Sequence, residues 1–288
     1  MSGVPRGYGG GSGGGATRRG CGGPRLLIGL LFAGFALFSY FGQQSTNPVT
    51  GEKQYVAVSP EQEIALGLQA APEMVAQFGG VSQDPQAVSA VEAVGRRIVA
   101  QSAAASSPYE YHFTLLGDRN TVNAFALPGG PIFITEALLG RLETEGQLAG
   151  VLAHEVGHVI GRHSAERIAK EQLTQGLTGA LILSTYDPDD PNSGRTAQMA
   201  MLIGSLINLR YGREDELESD RLGVKLMTEA GYDPRSLIEV MRVLAEAGGG
   251  GGQPEFLSTH PDPGNRAQRI QEAIAAEYPN GLPAGLTP

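Results

Sequence analysis

"HEVGHVIGRHSAER", residues 154–167, holds three of the chain's five histidines. His154, Glu155 and His158 form an H-E-x-x-H pattern. Residues four apart lie on one face of a helix, so His154 and His158 can hold one metal ion between them. The preceding "LAGVLA" is apolar, so the helix is expected to be buried with both imidazoles pointing inward. Two buried imidazoles and a buried carboxylate without partners would be costly, which favours a metal over a plain core helix. Glu155 falls beside the ion's open position, where it can take a proton from water and pass it to a leaving amine. A catalytic zinc lowers the pKa of water toward 7 and polarises a carbonyl.

Catalytic zinc sites use three protein ligands, so one is missing from the motif. His163 is the near candidate. The pattern H-E-x-x-H-x-x-G-x-x-H would place a third histidine at position 164, which is Ser164. On a continuous helix, His163 lies about 140° round from the ligand face. "RHSAERIAKEQ" carries no stop signal, so the helix is expected to run on from about Thr144 to Glu171, with His163 on its surface. The other solution is a carboxylate from a second helix. "YGREDELESDRLG" (211–223) offers Glu216 with Asp220 one turn later. A ligating glutamate followed by an aspartate that orients a ligand imidazole has a clear purpose. Glu216 is therefore the expected third ligand, with His163 as the rival.

Composition narrows the class. The net charge is −9 and no basic stripe runs through the main body, which argues against nucleic-acid binding. The one cysteine, Cys21, allows no disulfide within the chain and no cysteine metal site, leaving His, Asp and Glu as ligands. Residues 1–25 are Gly-rich and expected to be a disordered cytoplasmic tail. Residues 26–42, "LLIGLLFAGFALFSYFG", are uncharged and follow Arg6, Arg18, Arg19 and Arg25. This reads as an uncleaved signal anchor or transmembrane helix, with a cleaved signal peptide as the rival, because no A-x-A-like cleavage site is seen near Phe38 to Gln43. The positive-inside rule puts the rest of the chain on the extracytoplasmic, periplasmic side.

Residues 43–58 read as an extended linker, 59–280 as the catalytic domain and 281–288 as a flexible C-terminus. Ser59, Pro60 and Gln62 open a helix with a capping box, and Asp84–Pro85 opens a second. Residues 109–117 and 121–135 read as short strands, the latter two joined by Pro128-Gly129-Gly130. His112, alone in a strand, is set aside as structural. The apolar stretches 177–184 and 197–209 are too short to span and read as core or interfacial helices. Residues 187–194 read as a loop and the glycines at 248–252 as a flexible one. Further helices are expected near 214–230 and 263–277. The fold class is mainly α with a small β-sheet.

The sequence resembles the membrane-associated zinc endopeptidases that include the CAAX prenyl endopeptidases, HtpX, BepA and LoiP. The resemblance rests on "NPVTGEKQ" (47–54), "NAFALPGGPIFITEALL" (123–139), "LAHEVGHVIGRHS" (152–164), "REDELESDRLG" (213–223) and "STHPDPGNRAQRI" (258–270). It is nearest the BepA and LoiP type, although the 28 residues after His260 are too few for BepA's helical-repeat domain. The resemblance implies a gluzincin-type metallopeptidase domain with one zinc ion, held by His154, His158 and Glu216. It implies that Asp220 orients a ligand histidine and that Asn123, Ala124 and Phe125 line the substrate cleft. It implies a role for His260, either stabilising an oxyanion or blocking the zinc as a fourth ligand. Protein or peptide substrates in envelope quality control would follow. The competing reading is a chaperone or adaptor that keeps the zinc fold with little proteolysis.

Overall fold

The computed structural model describes residues 22–185, 211–248, 255–260 and 265–288. The tail 1–21, the loop 187–194, the stretch 197–209 and the glycines 249–252 lie outside the described residues. The chain begins with α1 (Gly22–Gly42), which is followed by the hairpin β1 (Gln44–Thr46) and β2 (Lys53–Tyr55). Then come α2 (Pro60–Gln77) and α3 (Pro85–Ala100). Both start as their sequences dictate. The Ser59 hydroxyl accepts from the Gln62 N–H while the Gln62 side chain accepts from the Ser59 N–H. Asp84 caps Gln86 and Ala87.

A three-stranded sheet follows, from β3 (His112–Leu116), β4 (Ala124–Ala126) and β5 (Pro131–Thr135). β5 is central, parallel to β3 and antiparallel to β4. All five residues of β5 are buried, as a central strand covered on both faces requires. β4 is an edge strand. Gly129 (φ 77°) and Gly130 (φ 129°) make the turn between them, where any other residue would be strained.

The short α4 (Glu136–Leu139) leads to α5 (Glu145–Gly161), α6 (His163–Thr185), α7 (Arg213–Glu229), α8 (Ser236–Gly248), α9 (Glu255–Thr259) and α10 (Arg266–Glu277). α5 is the central helix, buried from Gly146 to Gly161. Its Leu152 and Val156 share a core with Val224 and Met227 of α7 and Leu237 of α8, so α7 and α8 cover it while the sheet packs on another side. α7 crosses closely because Gly157 has no side chain. A Cβ there would stand 2.7 Å from the Ser219 hydroxyl.

Three sequence expectations change. The helix expected through 144–171 breaks at Arg162, which is left-handed (φ 58°). Such a conformation costs a non-glycine residue about 1–2 kcal/mol and persists only when its surroundings impose it. Here Glu63, buried on α2, accepts two bonds from the Arg162 guanidinium, at 2.9 and 3.0 Å, and Val58 O accepts another at 2.8 Å. The Tyr109 hydroxyl donates to the same carboxylate oxygen at 2.6 Å.

Residues 43–58, expected as an extended linker, instead form the β1–β2 hairpin and cap the end of α5. Asn47 Nδ2 donates to the Ile160 carbonyl at 2.7 Å and Gln54 Nε2 to that of Gly161. These carbonyls have no partner within the helix, so the hairpin satisfies them. The C-terminus, expected as flexible, is docked. The Pro288 carbonyl accepts from Gly146 N–H at the start of α5, and Thr287 exchanges backbone bonds with Gly231 and Asp233.

Candidate metal centre and active site

The helix break brings the site together. α5 presents His154 and His158, one turn apart, toward α7, which supplies Glu216. His260, the residue after α9, comes from the other side. One donor atom from each of His154, His158, Glu216 and His260 lies within 4.8 Å of all the others, and all four residues are buried. His154 Nε2 and His158 Nε2 are 3.0 Å apart. Glu216 Oε1 is 3.4 Å from His158 Nε2, and Glu216 Oε2 is 3.5 Å from His154 Nε2. His260 Nδ1 is 3.0 Å from Glu216 Oε1 and 3.5 Å from His154 Nε2.

Nitrogen lone pairs converging this closely, away from water, repel unless a proton or a cation lies between them. Among the described residues, neither carboxylate oxygen of Glu155 has a hydrogen-bond partner, though the residue is fully buried. Burial pushes its pKa up, as suits a group that takes and returns a proton near neutral pH. Burial also pushes His158 down, keeping its imidazole neutral and able to ligate. The donor set of imidazoles and carboxylate fits zinc.

A polar layer holds these donor side chains. His154 Nδ1 is 2.9 Å from Asp220 Oδ1, which fixes its ring so that Nε2 faces the cluster. Burial alone would raise the Asp220 pKa, but Arg266 and His154 beside it hold it below the usual carboxylate range. Ser219 donates to the His154 carbonyl, so the serine next to Asp220 ties the two helices together.

Two residues here escaped the sequence reading. Arg266, on α10, donates to both Asp220 oxygens at 2.7 and 2.8 Å and has Nη1 3.2 Å from Glu216 Oε2. It lies inside the quoted stretch 258–270, but only its partners in space reveal its role. His163 is not on a helix surface. It is 1% exposed, with Nδ1 2.7 Å from His158 Nδ1. The break at Arg162 turns it inward, behind a ligand rather than beside it.

Residues 85–274 match the peptidase family M48. The chain belongs to that family. The mitochondrial metalloendopeptidase OMA1 of Schizosaccharomyces pombe is 32% identical over 250 residues, 85% of this chain and 71% of that protein. The β-barrel assembly-enhancing protease of Yersinia pestis is 30% identical over 247 residues, 84% of this chain and 50% of that protein. Its Escherichia coli counterpart is 30% identical over 254 residues, 83% of this chain and 49% of that protein. The M48 chain thus spans about half the length of the bacterial relatives. The expected resemblance and the expected fold class, mainly helical with a small sheet, both hold.

The substrate-cleft candidates lie together on the edge strand. In this M48 chain Asn123 precedes β4, and Ala124 and Phe125 are within it. Ala124 is buried, while Phe125 is half-buried and stacks on Phe133 with ring centroids 5.0 Å apart. α9 is tied beside them, because Phe256 N–H donates to the Val122 carbonyl at 3.2 Å. The Phe256 ring stacks on His260, centroids 4.4 Å apart, so α9 lies against the cluster of donor atoms.

Proposed function

We propose that this chain is a zinc-dependent endopeptidase, anchored in a membrane through α1, that hydrolyses peptide bonds of envelope proteins, misfolded ones among them. The observation that carries the reading is the convergence of His154, His158 and Glu216 with the carboxylate of Glu155 alongside, which has no hydrogen bond among the described residues. His154, His158 and Glu216 would hold one zinc ion, which when bound acidifies water and polarises a carbonyl. Glu155 takes the proton of the attacking water and returns it to the amine as the peptide bond breaks. Asp220, held by Arg266, keeps His154 in the tautomer that ligates. β4, with one edge unclaimed by the sheet, can receive an extended substrate by strand addition across Asn123, Ala124 and Phe125.

His260 completes the set as a fourth donor in a latent state. Its ring points Nδ1 at Glu216 and stacks under Phe256, so α9 must shift before a substrate reaches the centre. The arginines ahead of the apolar run favour the extracytoplasmic, periplasmic side for the catalytic domain.

The test is casein zymography of the wild type and Glu155→Gln, each with and without a chelator. The wild type should cleave casein and lose this with chelator. Glu155→Gln should retain one metal per chain and cleave nothing. Equal cleavage by Glu155→Gln would overturn the mechanism. A wild type that binds zinc and unfolded protein without cleaving it would point instead to a chaperone or adaptor.

A further inference from the structure

α1 does not stand alone. α6 leaves the metal centre and runs antiparallel along α1 for most of its length. The contact is close because small residues meet. A Cβ at Gly29 would be 2.7 Å from Ser184 Cβ, and one at Gly176 would be 2.8 Å from Ala36 Cβ. Further down the pair, Gln43 and Ala169 border one groove. The Ala36–Gly176 and Gly29–Ser184 contacts set the register, each step along α1 matching one step back along α6.

That register aligns two chemical boundaries. α1 carries no charge after Arg25. α6 carries none after Glu171, and "QLTQGLTGALILST" (172–185) follows it. Glu171 is level with Phe41, and Thr185 with Leu27, so the uncharged part of α6 faces the uncharged part of α1. At the polar end, Tyr40 stacks on Tyr55 of the hairpin at 4.8 Å, with Phe41 edge-on to Tyr55 at 5.9 Å. Aromatic residues gather in this way at a membrane–water interface.

The pair also exposes one continuous apolar surface. Ten large apolar side chains between Leu26 and Phe41 are 40% to 77% exposed. Leu177, Leu181 and Leu183 on α6, 36% to 48% exposed, extend that surface. A soluble protein rarely leaves such a patch to water. Arg25–Gly42 is long and apolar enough to cross a membrane.

We propose that residues 172–185 of α6 are buried in the lipid bilayer beside α1, so that the acyl chains cover both helices. This rests on the reading of α1 as a membrane anchor. Residues 172–185 reach about 21 Å, roughly two thirds of the hydrocarbon thickness. The arrangement would also set the height of the catalytic helix. His163, where α6 starts, lies about 12 Å beyond the level of Glu171 and Phe41, at which α1 leaves the membrane. The metal centre would thus sit just outside the hydrocarbon, held there by two helices rather than swinging on one tether.

The chain contains no tryptophan, so one introduced tryptophan reports without background. The full chain is reconstituted in phosphatidylcholine vesicles whose acyl chains carry bromine near the headgroup or near the bilayer centre. Tryptophan is placed at Leu181, at Leu173, at Leu37 on α1, and at the exposed Ser89 on α3. Leu181→Trp should lose roughly half its fluorescence, most strongly to deep bromines, which lie at its level. Leu173→Trp should respond more to shallow bromines, Leu37→Trp should be quenched, and Ser89→Trp should not. Leu183→Trp repeats the measurement should Leu181→Trp misfold.

Quenching at Leu37 without quenching at Leu181 and Leu183 would overturn the proposal and leave the anchor intact. Quenching at neither helix would overturn both. Casein cleavage measured on the same samples reads the peptidase reading separately.

Discussion

The Nδ1 atoms of His158 and His163 lie 2.7 Å apart, with both rings buried. His158 turns Nε2 toward His154 and Glu216, so its proton belongs on Nδ1 and is donated to His163. His163 then carries its own proton on Nε2, 3.5 Å from Glu218 Oε2. The contact with His163 thus fixes the tautomer in which His158 can ligate.

His163→Ala should therefore weaken zinc binding by about 10- to 100-fold without abolishing it. Competition against a chromophoric chelator measures this without reference to activity. Were His163 itself the third ligand, His163→Ala would lose the metal altogether and Glu216→Ala would keep it. The expected order is the reverse, with Glu216→Ala losing the metal.

Arg266 lies between two carboxylates, Asp220 and Glu216, and is 2% exposed. Removing one partner of a buried ionic group leaves the others uncompensated, at a cost of about 3–5 kcal/mol. Arg266→Met keeps the volume and removes the charge. It should lower the thermal midpoint by roughly 6–20 °C in a domain of this size, measured by calorimetry of the zinc-loaded protein. Asp220→Asn should be milder, since Arg266 retains Glu216.

What the sequence disclosed is whatever is encoded within a few residues. Ser59, Asp84 and their prolines announced two helix starts because capping is local. His154 and His158 declared a shared face, and Glu216 with Asp220 declared another. Arg162 was opaque because its left-handed turn is imposed by Glu63, 99 residues earlier. An unbroken helix would put His163 on the surface, where it does not lie. Arg266 and Asn47 were opaque for the same reason. An arginine in a polar helix and an asparagine before a proline look ordinary until their distant partners are known.

His260 makes a prediction of opposite sign to the rest. Its Nδ1 is 3.0 Å from Glu216 Oε1 and its Nε2 is 3.7 Å from Glu155 Oε1, between the two carboxylates, which favours the proposed latent state. His260→Ala should raise the rate of casein cleavage while one zinc per chain remains. A fall of roughly 10²–10³-fold in turnover would instead make His260 an oxyanion donor that swings in only with substrate.

Asn47 tests whether the hairpin is structural. Its side chain is 1% exposed and does two things at once. Nδ2 donates to the Ile160 carbonyl at the end of the ligand helix, and Oδ1 accepts from the N–H groups of Val49 and Thr50 at 2.8 and 3.1 Å. Asn47→Ala leaves a buried helix carbonyl without its donor, which costs about 1–3 kcal/mol. The thermal midpoint should fall by roughly 2–4 °C for each kcal/mol lost. Gln54→Ala, which strips the donor from Gly161, should act in the same direction. Because the two changes relax the same turn, their combined effect should differ from the sum of the single effects. If residues 43–58 were only a tether between membrane and domain, neither substitution would move the midpoint, and an additive, near-zero double mutant would refute the capping role.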